Sequence, residues 1–205
     1  MLSPNAPTTE KHMKTPKCMQ SWMTDLNDLL SDELRHPVFI ANEGWGGIRT
    51  SGYLKRMRED ANWRQRMARL HPSLWLMHLG VNDERGTRPP QDVAADLEAM
   101  IDLLLEHYGA QPGSIVIAHP CYDYHPQAEP ILASYCRVID EIVERRGLLA
   151  GPDFFDAYSR DRARYYGQDT VHPNPEGMRL MARLWAAAIT RHRAAWDRHD
   201  NEGEA

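Results

Sequence analysis

The chain has 205 residues, 42% of them hydrophobic and 26% charged, which suits one globular domain over residues 1–205 with a sizeable core and is too little for two. A net charge of −5 and a pI near 6.0 leave no basic field for a phosphate backbone, and arginine-rich runs such as "RQRMAR" sit among acids in helical sequence, so nucleic acid is excluded as a partner. Cys18, Cys121 and Cys136 are an odd set without zinc or redox spacing, no apolar run reaches the length of a membrane span, and "MLSPNAPTTEKHMK" lacks the apolar core of a signal peptide; as written the chain reads as cytoplasmic and cofactor-free.

The ends, residues 1–19 and 194–205, are polar and irregular. Between them helices and apolar strands alternate. "SWMTDLNDLLSDELR" carries Trp22, Leu26, Leu29, Leu30 and Leu34 at helical spacing, and "PVFIAN" after it is a short β-rich run ending at Asn42. "GYLKRMREDANWRQRMARL" puts Leu54, Met57, Met67 and Leu70 on one helix face, and "SLWLMHLG" has the continuous apolar character of a strand covered on both sides. "PQDVAADLEAMIDLLLEHYG" opens with Pro90 and acids and closes at Gly109, as a helix does, before the strand "SIVIAHP". A helix over 127–146, a weak strand around "LLAGPDFFDA" and a last helix from Pro175 to Arg193 complete the order. Such alternation predicts a parallel sheet with helices on both faces and ligands beyond the carboxyl ends of the strands.

The turns that converge on that edge are "NEGWGGIRT", "GVNDERG", "HPCYDYHP" and the stretch leading into "DTVHPNPEG". His172 has an acid, Asp169, three residues before it, and an imidazole held by a carboxylate is the general base of acyl transfer. The same stretch also reads as a capping turn, since Asn174 before Pro175 and Glu176 is a good helix start. Asn82 offers a side-chain amide to a developing oxyanion and Gly47 a backbone N–H with no Cβ in the way; both are equally ordinary turn residues. His119, Cys121, Asp123 and His125 are metal-ligand types at no common metal spacing, so a pocket or turn role is favoured. Tyr122, Tyr124 and Trp45 are candidates for an acyl or leaving-group pocket, or for packing.

In this order the motifs resemble the SGNH (GDSL-type) serine hydrolases, esterases and lipases of flavodoxin-like three-layer α/β/α fold. The matching residues are Asn42-x-Gly44-x-x-Gly47-x-x-Thr50, Gly80-x-Asn82-Asp83 and Asp169-x-x-His172-Pro173-Asn174 leading into Gly177, and the likeness spans residues 20–190. The resemblance implies a Ser-His-Asp triad with His172 and Asp169, an oxyanion hole with Gly47 and Asn82, and a nucleophilic serine in a Gly-Asp-Ser block after the first, central strand. No Gly-Asp-Ser occurs here.

Position in the succession disfavours Ser73 and Ser114, which begin strands, and Ser21, Ser31 and Ser134, which fall in helical sequence. Ser51 suits a cap, and Ser159 has no strand to aim it. Ser3 is left as the candidate nucleophile, and the sheet is then expected to lack its first, central strand, with the true start of the chain upstream and a secreted or periplasmic location open. The implied substrates are small-molecule acyl esters, thioesters or O-acetyl groups. Two competing expectations are a silent binding module and a metal-dependent hydrolase using His119, His125, Asp169 and His172.

Overall fold

The computed structural model describes residues 21–122, 125, 127–167 and 171–193. Three short strands, β1 (Trp75–Met77), β2 (Ile115–Ile117) and β3 (Leu149–Ala150), form a parallel sheet in the order β1-β2-β3. Trp75 lies opposite Ile115, Met77 opposite Ile117, and Val116 opposite Leu149. Helices intervene: α1 (Trp22–Leu34), α2 (Thr50–Glu59) and α3 (Ala61–Leu70) before β1; α4 (Val81–Glu84) and α5 (Pro90–His107) between β1 and β2; α6 (Glu129–Arg146) between β2 and β3; then α7 (Phe154–Ser159), α8 (Arg162–Tyr165) and α9 (Pro175–Arg191). This is the three-layer α/β/α architecture that the sequence implied.

Strand alternation sends the apolar residues of β2 into two separate cores. Ile115 and Ile117 join Leu97, Ile101, Leu132 and Ile139 on the face covered by α2, α3, α5 and α6. Val116 and Ala118 join Leu26, Leu30, Phe154, Met181 and Trp185 on the face covered by α1, α7 and α9. All three β2 residues are buried, which is why residues 115–118 are continuously apolar instead of alternating. α1 lies along α9, and Trp22 stacks on the fully buried Trp185 at 6.4 Å.

Two expectations need correction. "PVFIAN" is not a strand: Phe39 is 79% exposed, and Val38 gives its N–H to Ser31 Oγ at 3.1 Å instead of to a ladder. Val38 and Ile40 still pack against the α1/α9 core, so the run's apolar character serves burial without ladder pairing to any described strand. The helix read across 52–70 is two helices. Asp60 ends α2 in extended backbone and its carboxylate accepts Asn62 N–H at 2.9 Å and Trp63 N–H at 3.1 Å, starting a second helix with Trp63 buried. The weak strand after α6 is confined to Leu149–Ala150, because Asp153 caps α7 through Asp156 N–H at 2.9 Å. Among the described residues no helix is long and apolar enough to cross a membrane.

Candidate active site

The site is built where the chain leaves β1. Gly80 has φ 118°, a conformation strained for any side chain, and a Cβ there would lie 3.3 Å from Pro120. The chain turns there into α4, which carries Asn82 and the fully buried Asp83. Opposite them lies the turn before α2, closed by a bond from Ile48 N–H to Trp45 O at 3.3 Å, with Gly47 at φ 75°. Asn82 Nδ2 donates to Ile48 O at 3.1 Å. Asn82 is therefore tied to the residue after Gly47, which lies 35 residues back in sequence, and one of the two Asn82 amide hydrogens is committed to holding that turn.

A group that the motifs contained but the sequence reading left without a role binds these turns more firmly. The Asp83 carboxylate accepts the Thr50 N–H at 3.1 and 3.0 Å and lies 2.7 Å from the Thr50 hydroxyl and 2.8 Å from Arg88 Nη1. Arg88 also reaches Asp96 at 2.6 Å. Burial opposes the Arg88 charge, but its bonds to Asp96 and Asp83 outweigh that and hold the guanidinium pKa above its usual value. The signal was present as an acid directly after Asn82, yet its partners Thr50 and Arg88 are 33 residues back and 5 on, at no secondary-structure period.

His172 sits on a different support. Its carbonyl accepts Gly167 N–H at 3.0 Å, Pro173 bridges Tyr166, and Asn174 N–H bonds Tyr165 O at 2.8 Å. The Asn174 side chain caps α9 through Glu176 N–H at 2.9 Å and Gly177 N–H at 3.0 Å, while its Nδ2 donates to Arg164 O and Tyr166 O. The capping reading of this stretch therefore holds for Asn174, and His172 stands two residues upstream of the cap with an exposed side chain. Tyr166 donates its hydroxyl to Tyr122 O, joining this loop to the one after β2. Ser3 and Asp169 lie outside the described residues, as do Asp123 and Tyr124.

Ser51 is not the cap that its sequence suggested: it lies exposed inside the first turn of α2, whose N-cap is Arg49. Ser114, Ser134 and Ser159 are bonded to backbone within their own segments, Ser31 Oγ accepts the Val38 N–H beyond the end of α1, and Ser73 and Ser114 precede β1 and β2 at the opposite edge. His119 is no open metal ligand: Nε2 meets Asp140 at 2.9 Å and Nδ1 lies 3.1 Å from Asp153. Burial would lower its pKa, but Asp153, Cys136 and Asp140 raise it to about 11, making it a standing imidazolium that ties α6 to the turn before α7. Among the described residues no group of three or more His, Cys, Asp or Glu side chains could hold a metal ion. Cys121 is core, 3.7 Å from His78; burial pushes the thiol up to about 12 and the imidazole down to about 4, so neither is charged at neutral pH. Tyr122 packs on Phe155 and donates to Glu129, whereas Trp45 is 60% exposed, with the Arg56 guanidinium 5.1 Å from its ring centroid.

Residues 8–180 match the model of the GDSL-like lipase/acylhydrolase family. No curated protein matches the chain. Solved structures similar to it include the lipase Lip_vut3 from a goat rumen metagenome, 14% identical at a TM-score of 0.70 over 82% of this chain and 87% of that one. TesA is 17% identical at 0.67, over 88% and 95% of the two chains. Axe2, an acetylxylan esterase from Geobacillus stearothermophilus, is 18% identical at 0.63, over 84% and 80%. At such identities the likeness to these structures is one of fold.

Proposed function

The chain belongs to the GDSL-like lipase/acylhydrolase family and is an ester-hydrolysing enzyme, and from that premise we propose that it cleaves small-molecule carboxylic esters by acyl transfer to Ser3. The observation that carries this reading is the juxtaposition of the Gly47 turn with Asn82, tied at 3.1 Å through Ile48 O beyond the carboxyl end of β1. Two donors from distant segments, held side by side, are what a developing oxyanion requires, and the bond between Asn82 and the Gly47 turn supports that reading.

In the proposed reaction Ser3 Oγ attacks the ester carbonyl while His172 takes its proton. Asp169 orients the imidazole and stabilises the imidazolium, and the N–H groups of Gly47 and Ser3 together with the Asn82 amide hold the oxyanion. His172 then returns the proton to the departing alcohol or thiol, and water repeats the sequence to release the acid. The substrates are acyl esters, thioesters or O-acetyl groups. The neutral Cys121 and the ion-paired His119 support assigning the chemistry to serine and His172 instead of to thiol or metal.

Labelling with a fluorophosphonate, followed by peptide mass spectrometry, tests the nucleophile. The adduct is expected on Ser3, with both labelling and p-nitrophenyl acetate hydrolysis lost in Ser3→Ala. Undiminished hydrolysis by Ser3→Ala would remove Ser3 from the mechanism.

A further inference from the structure

The buried group behind the donors has a geometry that helix capping alone does not explain. Asp83 is fully buried, and Thr50 with it. The helix they join, α2, has Arg49 at its N-cap position without a side-chain cap, so its first N–H groups would go unsatisfied. Asp83, 33 residues away, supplies that acceptor. A local Ser or Asp at position 49 would cap the helix without burying charge.

The cluster gathers two carboxylates, Asp83 and Asp96, around one guanidinium, Arg88, with the Thr50 hydroxyl between them at 2.7 Å, 2.8 Å and 2.5 Å respectively. The residual negative charge faces the α2 N-terminus, whose partial positive charge of roughly half a unit offsets it. Burying such a set seldom stabilises a fold more than apolar packing of the same volume does. What it supplies is fixed geometry, because each charge is satisfied in only one arrangement. The Arg88 carbonyl is itself held by the Tyr135 hydroxyl at 2.7 Å, which anchors the cluster to α6.

The position of the cluster gives this rigidity a use. Asp83 is the residue after Asn82, and Thr50 is three residues after Gly47 and two after Ile48, the acceptor of the Asn82 amide. We propose that Asp83 and Thr50 are positioning residues that lock the Gly47 turn against Asn82 and so set the spacing of the two oxyanion donors. The inference rests on the ester-hydrolase reading for its catalytic consequence, though not for the lock itself.

The test compares wild type, Asp83→Asn, Thr50→Val and Thr50→Ser, each alone and combined with Asn82→Ala, by turnover of p-nitrophenyl acetate. In parallel the Asn82 side-chain amide resonance is followed in protein labelled with ¹⁵N-asparagine. Asp83→Asn and Thr50→Val are expected to lower kcat by about 10²-fold with KM within about twofold, as for a misplacement of about 1 Å remote from the chemistry. Thr50→Ser, which keeps both the hydroxyl and the N–H, is expected to restore kcat. In the Asn82→Ala background the further losses should vanish, and in the single variants the Asn82 amide signal should move while the other asparagine side chains keep theirs. Should Asp83→Asn fail to fold, Thr50→Val carries the test, since it keeps the carboxylate and the backbone bond.

Losses that persist in full beside Asn82→Ala, with an unmoved Asn82 amide, would reduce the cluster to a helix cap and overturn the proposal. If Asn82→Ala itself leaves turnover at the wild-type rate, the oxyanion reading fails. The amide signal then decides the lock alone: a shift in Thr50→Val upholds it, and an unchanged signal overturns it.

Discussion

The two halves of the candidate site are held by different physics. On the donor side, Gly47 and Asn82 are joined across 35 residues of sequence by a buried ionic cluster and a direct amide bond. On the base side, the described residues around His172 are held by backbone bonds from Gly167 and Asn174, by the Asn174 cap and by the Tyr166 hydroxyl on Tyr122 O, and the His172 side chain is exposed. Oxyanion donors act by being in place before charge develops, so rigidity serves them. A general base must instead exchange its proton between nucleophile, leaving group and water, and in the role proposed for His172 an exposed imidazole suits that.

The contrast is most sharply tested at its base side. His172→Ala is expected to lower kcat by about 10⁴-fold with little change in thermal stability, because the ring is exposed and the loop is held by backbone. A loss of stability comparable to the loss of rate would mean that the imidazole is structural. Asn174→Ala, the base-side counterpart of the Asp83 variant, is expected to destabilise the protein by about 1–2 kcal/mol through the lost α9 cap, measured by urea denaturation. Its effect on turnover should be smaller than that of Asp83→Asn. An Asn174→Ala protein of unchanged stability would show that the loop does not depend on this cap.

A smaller effect comes from the charge outside both halves. His119 is raised to about 11, so its contribution to stability is fully present below the ordinary imidazole value of 6.5 and is lost as pH climbs through about 11. Asp153 is lowered, chiefly by its bond to His119, so its contribution is present above 3.8 and fades as pH falls below that. The Tm difference between wild type and His119→Gln should therefore be widest between about pH 4 and 6.5 and close toward alkaline pH. A difference that does not vary with pH would show that the two carboxylates do not share the imidazolium.

Much of the fold was legible because burial on both faces writes itself into composition. "SLWLMHLG" and "SIVIAHP" lead to β1 and β2, and α5, α6 and α9 fall where their apolar periods place them, whereas the short α7 and α8 are not legible, residues 154–157 reading as part of a weak strand. "PVFIAN" misled because β-propensity states a side-chain preference, while a strand also needs a neighbour's edge. The break at Asp60 was written as a capping residue but was hidden by an apolar period that continues through it. In the site, Gly47 and Asn82 were legible as motif residues. The Thr50–Asp83–Arg88–Asp96 cluster and the His119–Asp140–Asp153 clamp were not, since each joins segments whose spacing follows the tertiary fold and no local period.

The most direct test of the central claim is a crystal structure of the protein inactivated by a monoalkyl phosphonate. The phosphorus is predicted on Ser3 Oγ, with one phosphoryl oxygen about 3 Å from both Gly47 N and Asn82 Nδ2 and His172 beside the ester oxygen. An adduct on another residue, or one whose oxygen turns away from Gly47 and Asn82, would contradict the account.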